Sequence, residues 1–176
     1  MKKVLIVVDY QVDFVSGSLG FPGAELLEDA ICERIEQTLR DGGKLIFTYD
    51  THPDDYLSTK EGRDLPVLHC IRGSEGWQLY GRVNDYLPRA DALYEKETFG
   101  SLALAEYLRQ HGFDEVELCG LVSNICVLSN AVLAKAALPE AVVTVDARCT
   151  GCADQAANEK ALDILEGLFI QVLNRA

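Results

Sequence analysis

The stretch Glu117-Leu-Cys-Gly-Leu-Val-Ser-Asn-Ile-Cys126-Val-Leu-Ser-Asn130 decides the fold. Its apolar run, Val116 to Leu121, reads as a buried strand. The chain then turns through Ser123 and Asn124, both good helix-capping residues. It continues as an Ala-rich segment, Ile125 to Ala137, that reads as a helix. A strand running directly into a helix is the building unit of a parallel α/β sheet. Cys126 falls in the first helical turn, just past the carboxyl end of the strand. Unpaired N–H groups and the helix dipole favour a thiolate there, and the same N–H groups can cradle an oxyanion.

Working outward, the same alternation recurs. Lys3 to Val8 is a β-branched apolar run, the mark of a strand covered on both faces, and it ends at Asp9. A Gly- and Ser-rich loop, Gln11 to Gly23, precedes a helical pattern over Glu25 to Arg40, spaced through Leu27, Ile31, Ile35 and Leu39 and stopped by Asp41-Gly42-Gly43. Lys44 to Tyr49 reads as a strand ending at Asp50, and Ala92 to Glu95 as a short strand ending near Lys96. Leu102 to Gln110 reads as a helix, Ala141 to Val145 as a strand ending at Asp146, Asp154 to Leu165 as an amphipathic helix and Phe169 to Leu173 as a last strand. Between them, Thr51 to Arg89 is irregular and holds His52, His69 and Trp77, the only tryptophan. So long an irregular span inside a compact domain is usually functional. The pattern predicts one α/β domain over residues 1–176, with a mostly parallel sheet between two layers of helices.

Composition narrows the function. Hydrophobic residues make up 48% and charged residues 25%, as in ordinary globular proteins. No apolar run is long enough to span a membrane, and no signal-peptide cleavage pattern follows the N-terminal Met-Lys-Lys, so a cytoplasmic location is expected. The net charge of −12 argues against nucleic acid and anionic membrane as partners. The six cysteines are expected to be thiols in that compartment, and Cys149-x-x-Cys152 lacks the second pair that a zinc site usually needs.

Asp9, Asp50, Lys96 and Cys126 all fall at the carboxyl ends of predicted strands, where open α/β sheets bind ligands. Taken singly, each has a plainer reading: a turn aspartate, a solvated lysine, a small core cysteine. Taken together they form a reactive set. Asp9 could accept the Cys126 proton and return it to a leaving amine, and Lys96 could stabilise the charged states. A second cluster is Asp50-Thr-His52 with His69 further on. Asp50 and His52 alternate on extended chain and point to one side, and His69 can close a three-ligand metal site, with Glu61 as a fourth oxygen ligand.

These residues also carry a resemblance. The segments Val7-Val-Asp-Tyr-Gln-Val-Asp-Phe14, Thr48-Tyr-Asp-Thr-His-Pro53, Leu65-Pro-Val-Leu-His-Cys-Ile-Arg-Gly-Ser-Glu-Gly76, Glu95-Lys96 and Gly120-Leu-Val-Ser-Asn-Ile-Cys-Val127 resemble, in order, the isochorismatase-like cysteine hydrolases, and among them the nicotinamidases most. The resemblance implies a six-stranded parallel sheet in a three-layer α/β/α fold and a triad of Cys126, Asp9 and Lys96. It implies a divalent metal, zinc first, on Asp50, His52 and His69 with Glu61 near a further ligand position. The metal would anchor a pyridine nitrogen. The oxyanion hole would be the N–H groups of Val122 and Cys126, beside a cis peptide expected at Val122–Ser123. Phe14 and Phe99 are candidates to pack on the substrate ring, with Trp77 as another aromatic of the region.

The implied reaction is hydrolysis of nicotinamide to nicotinic acid and ammonia through a thioester, and the family often forms homo-oligomers. The chain departs from the nicotinamidase pattern at Ser123-Asn124, where Thr-Asp is usual, and at Thr51, where Trp is frequent. These departures keep open another small amide or ureido substrate, or a non-catalytic metal- or ligand-binding relative.

Overall fold

The computed structural model describes residues 1–175. Six strands form one sheet: β1 (Lys3–Val8), β2 (Lys44–Asp50), β3 (Ala92–Lys96), β4 (Glu115–Leu121), β5 (Val142–Gly151) and β6 (Gln171–Leu173). The order is β3-β2-β1-β4-β5-β6 and every pairing is parallel. The helices are α1 (Val12–Val15), α2 (Glu28–Arg40), α3 (Lys60–Asp64), α4 (Leu102–His111), α5 (Leu128–Ala137) and α6 (Gln155–Gly167).

Strand β1 shows why an unbroken apolar run is needed at the centre. Val4, Ile6 and Val8 face one core, shared with Leu104 and Leu108 of α4, Ala131 and Ala134 of α5 and Leu162 and Leu165 of α6. Leu5 and Val7 face the other core, shared with Phe14 of α1 and Ile31 and Ile35 of α2. Side chains alternate across a strand, so a strand buried on both faces must be apolar at every position. Each such side chain contributes about 1.5–3 kcal/mol on full burial.

The strand order reverses direction between β1 and β4. Chain growth runs outward from β1 through β2 to β3, then crosses to β4 and runs outward the other way. The carboxyl ends of β1 and β4 therefore flank the switch point, where such sheets leave a crevice. Asp9 follows β1, and Cys126 lies in the turn after β4.

Of the boundaries that differ from the sequence expectation, three have a clear local cause. Helix α2 is preceded by a 3-10 turn, Ala24–Leu27, rather than starting at Glu25. Strand β5 does not stop at Val145 but runs to Gly151 through a register irregularity opposite Leu118–Gly120. Arg148 donates from its backbone and guanidinium to Asp146 across that irregularity, and the Thr150 hydroxyl donates to Gly120 O at 2.8 Å where pairing resumes. Those polar residues hide the continuation from an apolar-run reading. The last strand starts at Gln171 because the Phe169 and Ile170 N–H groups still donate to Glu166 and Leu165 of α6. Among the described residues no helix is long and apolar enough to cross a membrane.

Candidate active site

Gly120 sets the local path of β4. Its φ is +104°, and a Cβ there would lie 2.0 Å from Val8 O, so only glycine lets β4 pass β1 this closely. A cis peptide bond follows at Leu121–Val122, one residue earlier than expected. The chain then makes a wide π turn over Ser123–Val127, with Val127 N–H donating to Val122 O at 3.2 Å, before regular helix α5 begins at Leu128. Ser123 and Asn124 do not cap it, because the carbonyl of Val122 takes the turn's N–H groups instead. The Ser123 hydroxyl and Asn124 Oδ1 are buried without a hydrogen-bond partner among the described residues.

Lys96, at the end of β3, joins the reactive set. Its Nζ lies 2.6 Å from Asp9 Oδ2, 3.3 Å from Asp50 Oδ1 and 3.5 Å from Cys126 Sγ. Asp9 sits at φ +45°, a left-handed turn that aspartate tolerates, and it is fully buried. The Thr48 hydroxyl donates to its Oδ1 at 2.7 Å. Burial pushes the Asp9 carboxyl above its ordinary range and Asp50 adds to that, while Lys96 and Thr48 oppose. Burial works against the Lys96 ammonium, but the charges of Asp9, Cys126 and Asp50 outweigh it and hold its pKa high. Burial also drives the Cys126 thiol well above its usual value, with Asp9 adding to it and Lys96 opposing. Burial of the sulfur thus acts against the thiolate expected at a helix N-terminus, and Lys96 acts for it.

The second cluster also assembles. Ligand atoms of Asp50, His52 and His69 all lie within 4.8 Å of one another, and all three residues are buried. Asp50 Oδ2 is 3.0 Å from His52 Nε2 and 3.3 Å from His69 Nε2. His69 Nδ1–H donates to Val67 O at 2.8 Å, which leaves Nε2 as the ligand lone pair and fixes the ring. Burial raises the Asp50 carboxyl, but the contacts of both imidazoles with it and the charge of Lys96 outweigh that and hold it far below its usual range. Glu61 Oε1 stands 3.7 Å from His52 Nε2, on the first turn of α3. Two imidazoles and a carboxylate that converge, one ring held from behind by Val67 O, fit a divalent ion, with Glu61 beside them.

A cleft of about 350 Å³ runs past Asp50, Glu61 and His69 to Val122, Asn124 and Cys126, with Phe14 and Phe99 in its walls. That is a volume for a small organic ligand. Phe14 is almost buried and tilts against the His69 ring at 5.8 Å, whereas Phe99 is 45% exposed at the rim. Trp77 stands outside the cleft, its ring tilted against Tyr49 and its indole N–H donating to the Thr51 hydroxyl at 2.8 Å. Val122 N–H donates to no backbone carbonyl among the described residues. All six cysteines are free; Cys149 is buried and Cys152 forms part of the cleft wall.

Four contributors went unread in the sequence. Thr48 supports Asp9, and Tyr56 wedges its ring against His52 at 4.5 Å and His69 at 5.0 Å. Asn130 ties two walls together: its Nδ2 donates to Cys126 O at 2.8 Å and Phe99 O at 3.1 Å, and its Oδ1 accepts from Ser101 N–H at 3.0 Å. The fourth, Gln11, is treated below. The signal for Thr48 and Asn130 was a polar residue inside an otherwise apolar element, which periodicity counts as noise.

Residues 3–176 match the family model described as the Isochorismatase domain. A Bacillus subtilis protein described as an uncharacterized isochorismatase family protein is 31% identical over 144 residues, covering 75% of this chain and 78% of its own length. The crystal structure of a nicotinamidase/pyrazinamidase from Bacillus subtilis superposes with a TM-score of 0.89 at 29% identity, over 99% of this chain and 100% of that one. The pyrazinamidase of Pyrococcus horikoshii in complex with zinc superposes with a TM-score of 0.86 at 25% identity, over 99% and 100%.

Proposed function

A chain matched from residue 3 to residue 176 by that model belongs to the isochorismatase family, and from that premise we propose that it is a metal-dependent cysteine amidohydrolase converting nicotinamide to nicotinic acid and ammonia. The observation that carries the reading is Lys96, whose one ammonium touches Asp9, Asp50 and Cys126 and so joins the reactive set to the candidate metal ligands.

In the proposed reaction Asp9 takes the Cys126 proton, and the thiolate attacks the carboxamide carbon. The oxyanion rests on the N–H groups of Val122 and Cys126. Asp9 gives its proton to the departing ammonia and leaves a thioester on Cys126. Asp9 then draws a proton from water, which attacks the thioester carbonyl and releases the acid, and the proton returns to sulfur. Lys96 stays cationic and balances whichever of Asp9 and Cys126 is charged. Asp50, His52 and His69, with Glu61 beside them, would hold a divalent ion, zinc first, which when bound supplies an anchoring point for a pyridine nitrogen. Phe14 and Phe99 would enclose the ring.

The proposal is tested by ammonia release from nicotinamide with zinc-loaded protein and a Cys126→Ala control. Release that vanishes in the variant supports it. No release from zinc-loaded wild type would refute nicotinamide as substrate, and Asn124 in the cleft wall would then direct the search to other small amides.

A further inference from the structure

Gln11 makes an unusual set of bonds at the end of β2. Strands β1 and β2 pair in register only as far as Val8 and Thr48. The Asp9 N–H still donates to Thr48 O at 3.2 Å, but Asp9 then turns away at φ +45°. From Tyr49 onward β2 has lost its neighbour on that side, and Asp50 lies in that unpaired part. On its other side β3 continues, with Asp50 in register with Lys96 and Thr51 N–H donating to Lys96 O at 2.9 Å.

The Gln11 side chain fills the missing edge. The Asp50 N–H donates to Gln11 Oε1 at 2.8 Å, and Gln11 Nε2 donates to Asp50 O at 2.9 Å. A side-chain amide thus presents one acceptor and one donor to one residue, as a neighbouring strand would. The second Nε2 hydrogen goes to Trp77 O at 2.9 Å, which ties the irregular span to the same point. Gln11 is fully buried.

We infer that Gln11 is a positioning residue for the metal site, a side-chain substitute for strand β1 that fixes the backbone of Asp50 where the strand has run out. The inference rests on the metal reading of Asp50, His52 and His69. A ligand at a frayed strand end would sample several positions. A ligand clasped on both edges keeps its carboxylate aimed at His52 and His69, and partners behind a ligand are worth about 10–100-fold in metal affinity.

The test is the zinc dissociation constant, measured against a chromophoric chelator, for wild type, Gln11→Met, Gln11→Glu and Asn130→Asp. Gln11→Met keeps the length of the side chain and removes all three bonds. Gln11→Glu keeps the acceptor and loses both donated bonds. An added negative charge near a cation site would by itself tighten zinc, so weakening in Gln11→Glu comes from geometry. Asn130→Asp disturbs the comparable clasp at the Cys126 end.

Both Gln11 variants are expected to bind zinc about tenfold or more weakly, with Asn130→Asp unchanged. Gln11 variants binding zinc as wild type does would overturn the inference. So would equal weakening in Asn130→Asp, which would mean general loosening. For a variant too unstable for titration, the zinc-dependent rise in Tm reads the same affinity, and an undiminished rise contradicts the clasp. Wild type that binds no zinc would overturn the metal reading and this inference with it. Wild type that binds zinc beside unaltered variants would overturn the clasp alone.

Discussion

The two ends of the cleft are held in different ways. At the Asp50 end each side chain is fixed from behind: Gln11 clasps the Asp50 backbone, Val67 O holds the His69 ring, and Tyr56 packs on both imidazoles. At the Cys126 end Asn130 holds the Cys126 carbonyl from behind, but the turn itself is wide and carries two buried polar atoms, Ser123 Oγ and Asn124 Oδ1, with no partner among the described residues. Each such atom costs about 1–3 kcal/mol. Its sulfur is met by the Lys96 ammonium at 3.5 Å. Under the proposed function, the difference follows from what each end would have to do. A ligand set works by staying still. A nucleophile must lose a proton, form a bond and break it, and a charge that serves every one of those states suits it better than a rigid hydrogen-bond network.

If the ends are separable in this way, substitutions should divide by end. The largest effect is expected for Cys126→Ala, which should lower turnover of nicotinamide about 10⁴-fold or more while zinc content, read by atomic absorption, stays at the wild-type value. Loss of zinc in that variant would break the comparison. His52→Ala comes next. It should weaken zinc and raise KM by more than the roughly 10–100-fold expected for a partner behind a ligand, with a smaller loss in kcat at saturating zinc. A kcat loss matching that of Cys126→Ala would place His52 in the chemistry and erase the division.

Thr48→Val sharpens the comparison at the boundary between the ends. The Thr48 hydroxyl favours ionised Asp9, whose pKa burial has already raised. Removing it lifts that pKa further, so Asp9 loses its base form at a higher pH. A hydrogen bond to a charged group is worth about 1.5–3 kcal/mol, and about 1.4 kcal/mol is one pKa unit. The acid limb of kcat/KM, measured with saturating zinc, should therefore move up by about one to two units. A limb that stays put or moves down would remove Asp9 from the role of base. The smallest effect is expected at the rim. Phe99→Ala should raise KM only a few-fold with little change in Tm, because Phe99 is 45% exposed, and an exposed ring has little apolar area left to lose.

The fold was legible because its signal is coarse. Lys3–Val8 is a strand end to end as read, since a strand buried on both faces writes itself as an apolar run, and the run from Val116 to Leu121 lies in β4 with Glu117, paired to Arg34, as its one charged interruption. Asp9, Asp50, Lys96 and Cys126 converge because parallel strands bring their carboxyl ends to one edge. What was missed depends on distances that spacing does not encode. The π turn at Ser123–Val127 reads as ordinary helix from residue types alone. The thiol's raised pKa comes from burial contributed by the whole fold. Gln11 acts through the exact end of a neighbouring strand, and Tyr56 through packing across the irregular span. Trp77 drew attention by rarity, yet its indole N–H is committed to Thr51 outside the cleft.

The central claim is that bond making occurs at Cys126 while the Asp50 end only holds. The most direct measurement is mass spectrometry of zinc-loaded protein acid-quenched during turnover of nicotinamide. The account predicts a pyridine-carbonyl adduct on the peptide containing Cys126, present during turnover and gone once substrate is exhausted. Sustained ammonia release with no adduct at any quench time, persisting in Cys126→Ala, would contradict it.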